Sequence, residues 1–273
     1  MLNYTKNHKN TMAAKIYLDD VTFLIPVRFD SLVRLENLIA VIDFLSIHFD
    51  THIQILEAAD YNNHLLERLL QQKQNVSIRF IEDHDPVFHR TRYINLLVKN
   101  CMTPLLAVWD TDVIVSPIQI VQSAEYLRKQ EAHFVYPYEE KFLETSIILR
   151  ELFLKTRNLN LLMNNMGKMT ELYLPNPVGG GFFANRLAYM ESGMENEHFY
   201  GWGREDGDRL NRWEILGYQI KRIPGPLFHL THERGFNSSF HSSEQNHIKM
   251  SEIHRIASMS EKELKEEINY WQR

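Results

Sequence analysis

Between Val21 and Trp109 the chain alternates short apolar runs with segments whose apolar residues recur at helical spacing, and this alternation constrains the fold more than any other feature. Val21–Pro26 reads as a short buried strand. Asp30 or Ser31 stands where a helix cap belongs, ahead of Leu35, Leu38, Ile42, Leu45 and Phe49. His52–Glu57 and Val76–Ile81 read as two further strands, separated by a helical segment near Asn62–Gln72. Phe88–Cys101 then reads as a helix, and Pro104–Trp109 as a strand that runs into Asp110-Thr111-Asp112. Strands alternating with helices predict an α/β fold with a Rossmann-like, mostly parallel sheet flanked by helices. In such sheets ligands bind beyond the carboxyl ends of the strands, where Asp110 and Asp112 fall.

The rest of the chain is less regular. Glu139–Tyr173 reads as largely helical and carries no recognisable chemistry. Pro175–Gly181 interrupts it with two prolines and three consecutive glycines, and Gly201–Asp208 forms a second loop before a helix to Leu216. Gly217–Ile223 reads as a further strand, and the charged tail Ser242–Arg273 as helix packed on the surface. With no repeat and no low-complexity linker, the expectation is a single domain over 1–273, with a donor-binding half at about 20–115, an acceptor-binding and catalytic half at about 175–235, and a helical tail at 242–273.

Composition narrows the partners. A net charge of -5 without a long Lys/Arg run argues against nucleic acid. No stretch approaches the roughly 20 apolar residues needed to cross a bilayer, and Met1–Lys15 lacks the apolar core of a signal peptide. The single cysteine, Cys101, excludes an intrachain disulfide and agrees with a reducing compartment.

Four constellations can carry chemistry. Asp110 and Asp112, two residues apart at a strand end, can share one ligand: one carboxylate on a hard cation, the other on a ribose or sugar hydroxyl or on the cation's water shell. The plain alternative is a solvated turn, which aspartate favours. In Gly201-Trp202-Gly203-Arg204-Glu205-Asp206-Gly207-Asp208 the indole between two glycines offers a flat face for a sugar ring. Glu205 and Asp206 sit at an expected helix start, whose positive dipole end should keep a carboxylate ionised and able to act as general base. The alternative is an acidic helix start behind a glycine turn. His229 and His232 are spaced to reach one metal, and with a carboxylate they suit Mn²⁺; a chance pair among 13 histidines stays open. Gly179-Gly180-Gly181 can let backbone approach a ligand closely, or can simply be a flexible loop.

Taken in order, these motifs resemble the β-1,4-galactosyltransferase family and its relatives, including the transferase domains of chondroitin-type polymerases. Ile25-Pro26-Val27-Arg28 looks like the family's nucleotide-binding Pro-Phe-Arg segment, and Phe88-His89-Arg90-Thr91-Arg92-Tyr93-Ile94-Asn95 is similar to its Phe-Asn-Arg-Ala-x-x-x-Asn helix. Asp110-Thr111-Asp112 matches the Asp-x-Asp metal motif, and Val178-Gly179-Gly180 the glycine loop that meets the donor sugar. Gly201-Trp202-Gly203-Arg204-Glu205-Asp206 matches the Trp-Gly-Trp-Gly-x-Glu-Asp signature, and His229 and His232 fall where the family places its late metal ligands. Tyr200 replaces the first tryptophan of the longer signature, and Pro177 replaces an aromatic residue before Val178.

The resemblance implies a GT-A fold, a UDP-sugar donor (UDP-galactose or UDP-N-acetylgalactosamine), Mn²⁺ with Mg²⁺ as second choice, and inversion at the anomeric carbon. It implies a glycan or lipid-linked glycan acceptor and a role in bacterial polysaccharide biosynthesis, at a cytoplasmic location peripheral to the inner face of the membrane. Carried over residue by residue, Asp112, His229 and His232 hold the metal. Pro26, Arg28, Arg90, Asp110, Gly179 and Gly180 face the donor. Trp202, Tyr200 and Glu205 face the acceptor, and Asp206, with Glu205 beside it, does the catalysis. A retaining hexosyltransferase and a non-catalytic sugar- or nucleotide-binding module remain as alternatives.

Overall fold

The structure, a computed structural model, describes residues 14–139, 141–173 and 176–271. Most of the Met1–Lys15 segment, and Pro175 of the glycine loop, lie outside the described residues. The first half follows the alternation in the sequence: β1 (Ile16–Val27), α1 (Leu32–His48), β2 (Phe49–Ala59), α2 (Leu65–Leu70), β3 (Val76–Glu82), α3 (Arg90–Asn100) and β4 (Leu105–Trp109). Of the two cap candidates, Ser31 caps α1: its side chain accepts from the Arg34 N–H at 3.4 Å.

The second half comprises β5 (Val113–Ile114), α4 (Pro117–Arg128), β6 (Phe134–Tyr136), β7 (Phe142–Glu144), α5 (Ile147–Thr156), α6 (Leu159–Met163), β8 (Thr170–Glu171), β9 (Gly181–Asn185), α7 (Arg186–Glu191), α8 (Glu205–Ile215), β10 (Ile220–Arg222), β11 (Leu227–His229), α9 (Ser243–Ala257) and α10 (Glu261–Trp271). Two expectations are corrected. The 139–173 region is not only helical, because it holds strands β7 and β8; runs this short contain no period for the sequence to display. The second loop ends at Arg204, since helix α8 already starts at Glu205. The histidine motif begins inside strand β11.

Seven strands form the main sheet in the order β10-β6-β9-β4-β1-β2-β3. All its pairings are parallel except those of β9, which runs antiparallel between β6 and β4. A smaller sheet, β5-β11-β7-β8, continues beyond the end of β4. β4 is buried along its whole length. Phe23, Trp109 and Phe183, one from each of β1, β4 and β9, meet edge to face at 5.3–5.9 Å. Burying one such ring stabilises the fold by about 1.5–3 kcal/mol. This aromatic layer fixes the strand end from which Asp110 to Asp112 emerge.

Candidate active site

The registers of the two sheets assemble the site. In the main sheet Trp109 pairs with Gly181, so the end of β4 lies beside the glycine loop, and the Asp110 N–H donates to Gly180 O at 3.0 Å. In the small sheet β11 lies between β5 and β7, and His229 pairs with Val113 on one side and Glu144 on the other. Asp112, just before β5, is thereby brought to the histidines. Backbone ties hold the segment in place: Leu230 N donates to Asp112 O (2.7 Å), Thr145 N to His229 O (2.9 Å), and Asn37 Nδ2 to Leu230 O (2.9 Å).

His229 Nε2 lies 3.5 Å from Asp112 Oδ1, and His232 Nε2 lies 3.2 Å from Asp112 Oδ2. Ligand atoms of all three residues fall within 4.8 Å of one another. His232 Nδ1 is 2.7 Å from Glu233 O, which fixes the proton on Nδ1 and leaves the Nε2 lone pair directed at the cluster. His229 Nδ1 faces Glu144 Oε1 at 3.5 Å, the carboxylate–histidine arrangement that orients metal-binding imidazoles. The donor set, one carboxylate and two imidazoles with room for further oxygen ligands, fits a divalent transition cation such as Mn²⁺. Burial would raise the Asp112 carboxyl, but the two imidazoles outweigh it and hold the group well below its ordinary range. Burial would lower His229, but Asp112 and Glu144 outweigh that and raise it. His229 beside Glu144 in turn lowers the Glu144 carboxyl.

The second cluster stands at the start of α8. Arg90, the first residue of α3, places Nη2 2.6 Å from Asp110 Oδ1 and Nη1 3.9 Å from Glu205 Oε1. Burial opposes the Arg90 charge, but Asp110, Asp206, Glu205 and Glu195 raise it further, so it is a fixed cation. Burial raises the Asp110 carboxyl, helped by Asp112 and opposed by Arg90. Glu205 does not behave as its helix position predicts: burial, then Asp206, push it up to about 7 against the pull of Arg90. A helix dipole contributes about 0.3–1 kcal/mol near the surface, and desolvation at 5% exposure exceeds that. Asp206 is more open. Its Oδ1 accepts from Arg209 Nη2 at 2.6 Å, while its Oδ2 approaches Gly179 so closely that a Cβ there would lie 3.0 Å away. Gly179 thus makes room for a carboxylate of this chain, a constraint separate from any sugar. Gly180, with φ +83, packs where a Cβ would strike Leu227 and Phe142.

Both clusters open into one cleft of about 660 Å³. Pro26, Arg28, Arg90, Asp110, Asp112, Gly179, Gly180, Trp202, Glu205, Asp206, His229 and His232 all line it. One sequence-predicted residue is placed differently. Tyr200 is not among the lining residues; its hydroxyl donates to Asp85 Oδ2 at 2.5 Å. Arg28 lines the cleft, but its guanidinium already donates to the carbonyls of Ala58 (2.8 Å) and Asp85 and pairs with Asp83 at 3.4 Å. These bonds tie Arg28 to the end of β2 and to the turn after β3 while it lines the cleft. Residues that the motifs did not reveal include Glu144, Arg34, Arg209, Arg234, Phe240 and the aromatic wall of Phe142 and Tyr173. For Glu144 the only signal is its register opposite His229, which a linear sequence does not display.

Comparison with solved structures shows the fold. The chain is similar to Staphylococcus aureus TarS (residues 1–349), with a TM-score of 0.55 and 11% identity over 91% of this chain and 68% of that one. It is also similar to the catalytic domain of Drosophila β1,4-galactosyltransferase 7 in complex with xylobiose, with a TM-score of 0.53 and 16% identity over 84% and 79%. The fold is that of the GT-A glycosyltransferases. Within it, residues 176–234 match the family model described as the N-terminal domain of galactosyltransferase. That stretch holds Gly179, Gly180, Trp202, Glu205, Asp206, His229 and His232. No curated protein sequence matches the chain. No helix among the described residues is long and apolar enough to cross a membrane.

Proposed function

We propose that the chain is a metal-dependent, inverting glycosyltransferase that moves galactose or N-acetylgalactosamine from a UDP-sugar to a glycan hydroxyl. One observation carries this reading: in the cleft that also holds the Asp112–His229–His232 cluster, Arg90 Nη1 and Glu205 Oε2 are buried without a hydrogen-bond partner. A buried unpaired donor and acceptor each cost about 1–3 kcal/mol. A sugar hydroxyl, which accepts and donates at once, satisfies both.

In the reaction, the acceptor oxygen attacks the anomeric carbon from the face opposite the diphosphate. The new C–O bond forms as the bond to the diphosphate oxygen breaks. Asp206 Oδ2 takes the acceptor proton, while Oδ1 stays on Arg209 and fixes the carboxylate's direction. Arg90 and Glu205 hold sugar hydroxyls, and Trp202 forms part of the acceptor floor. Asp112, His229 and His232 would hold the cation, Mn²⁺ ahead of Mg²⁺, which supplies charge neutralisation at the leaving diphosphate. Pro177 lines the cleft and takes the place of a larger aromatic residue, which supports room for an N-acetyl group on the donor. A lipid-linked glycan at the cytoplasmic face of a membrane, within bacterial polysaccharide synthesis, is the acceptor setting we favour.

The test is UDP release with a panel of UDP-sugars and saccharide acceptors, with and without EDTA, and proton NMR of the product anomer. UDP release with UDP-galactose or UDP-N-acetylgalactosamine, abolished by EDTA and giving the inverted anomer, is expected. Absence of turnover with every sugar nucleotide favours a binding module, and a retained anomer favours the retaining reaction.

A further inference from the structure

The backbone of the loop that carries Trp202 has little conformational restraint of its own. Gly201, Gly203 and Arg204 all have positive φ (+75°, +97° and +77°). Glycine adopts either sign of φ at no steric cost, so it leaves the loop free to move, and Arg204 adopts this region at a cost of about 1–2 kcal/mol. Something outside the loop must fix it.

Helix α9 supplies the ties, and from one face. Gln245 Nε2 donates to Tyr200 O at 3.3 Å, and Asn246 Oδ1 accepts from Arg204 Nε at 3.0 Å. One turn on, Lys249 Nζ donates to Trp202 O at 2.7 Å. A further turn on, Glu252 Oε1 accepts from Asn196 Nδ2 at 2.8 Å, at the beginning of the same connection. Phe240, just ahead of the helix, packs its ring edge to face on Trp202 at 5.2 Å and stands where a Cβ at Gly203 would lie 3.0 Å away. Lys249 is the unusual member. It is 2% exposed, and a buried ammonium is costly unless its donors are used. Burial lowers it to about 8, with Glu205 nearby opposing the shift.

We propose that Lys249 is a positioning residue: through it, α9 holds the Gly201–Arg204 loop in one pose and keeps the Trp202 side of the cleft formed before any sugar arrives. That this side receives the acceptor rests on the function proposed above; the ordering of the loop does not. Lys249 touches no reacting atom. It acts through the Trp202 carbonyl, so its loss affects acceptor binding and leaves the donor side, built from β4, β5 and β11, intact.

The experiment is hydrogen–deuterium exchange on the unliganded protein, wild type against Lys249→Met, paired with steady-state kinetics using UDP-galactose as donor and N-acetylglucosamine as probe acceptor. Methionine keeps the length of the stem and removes the charge-assisted bond. Exchange of the 201–204 amides should speed up by about tenfold or more, and acceptor KM should rise by a similar factor, while donor KM stays within about twofold. Lys249→Arg, which keeps a donor, should recover part of both. Gln245→Ala, at a more exposed site, should give the same pattern more weakly and serves if Lys249→Met does not fold. Unchanged exchange of the loop overturns the proposal, as does an equal rise in donor and acceptor KM with a lowered Tm, which marks a merely structural lysine. If the wild type turns over no sugar nucleotide but its loop loosens on substitution, the function proposed above fails and the positioning role of Lys249 stands.

Discussion

Replacing Glu205 by glutamine should make the protein more stable at neutral and alkaline pH. Glu205 shifts from 4.5 to about 7 on folding, with burial the first cause. A carboxyl raised in this way binds its proton more tightly in the folded state. Its contribution to stability is therefore fully present below pH 4.5 and is lost as pH rises through about 7. A shift of that size corresponds to about 3 kcal/mol, most of it lost between pH 5 and pH 8. The side chain is only 6% exposed, so solvent screening takes little from this. For a chain of this size 1 kcal/mol moves Tm by about 2 °C. Thermal unfolding of wild type and Glu205→Gln, in EDTA and without nucleotide, should show a Tm difference that moves about 5 °C in favour of the variant between pH 5 and pH 8. A difference that stays constant across that range refutes the assignment of a strained, buried carboxyl at this position.

The catalytic and metal assignments make two further predictions. Asp206→Asn should lower kcat by about 10²–10⁴-fold with donor binding nearly unchanged; activity within a few-fold of wild type, measured by UDP release, removes Asp206 as the base. His229→Ala and His232→Ala should each weaken Mn²⁺ binding tenfold or more in calorimetry with UDP present, and metal and UDP should tighten each other equally. Because Asp112 and Glu144 raise His229 against burial, bound metal must displace a proton. Affinity should therefore begin to fall while pH is still above the ordinary histidine value of 6.5, and a flat pH profile would count against His229 as a ligand.

What the sequence revealed was local, and what it concealed was pairing at a distance. The alternation from Val21 to Trp109 predicted the parallel half of the sheet because each strand and helix carries its own period. The Asp-x-Asp, glycine, Trp-Gly and histidine motifs were legible for the same reason, and the fold brings them into one cleft. Glu144 was not, because only the β7–β11 register sets it beside His229. Lys249 and Arg209 look like ordinary helix-surface cations in sequence, yet they are 2% and 1% exposed and committed to the Trp202 loop and to Asp206. Arg28 carries partners that its motif did not display. It lines the cleft as its motif suggested, and carbonyls of Ala58 and Asp85 take part of its donor capacity. For Glu205 the helix position was read correctly and its consequence was not, since desolvation depends on what packs above the helix start.

Strand β11 has a consequence for how the protein is made. Its partners β5 and β7 precede it by long stretches of chain, whereas the β1–β2 and β2–β3 ladders join strands that are neighbours in sequence. Closing such distant ladders costs more chain entropy and slows their formation. During synthesis the three parallel strands can assemble early, while Asp112 waits as a solitary carboxylate until His229 and His232 leave the ribosome. A chain that ends before β11 holds every strand of the main sheet but lacks His229 and His232, and with them the Asp112–His229–His232 cluster.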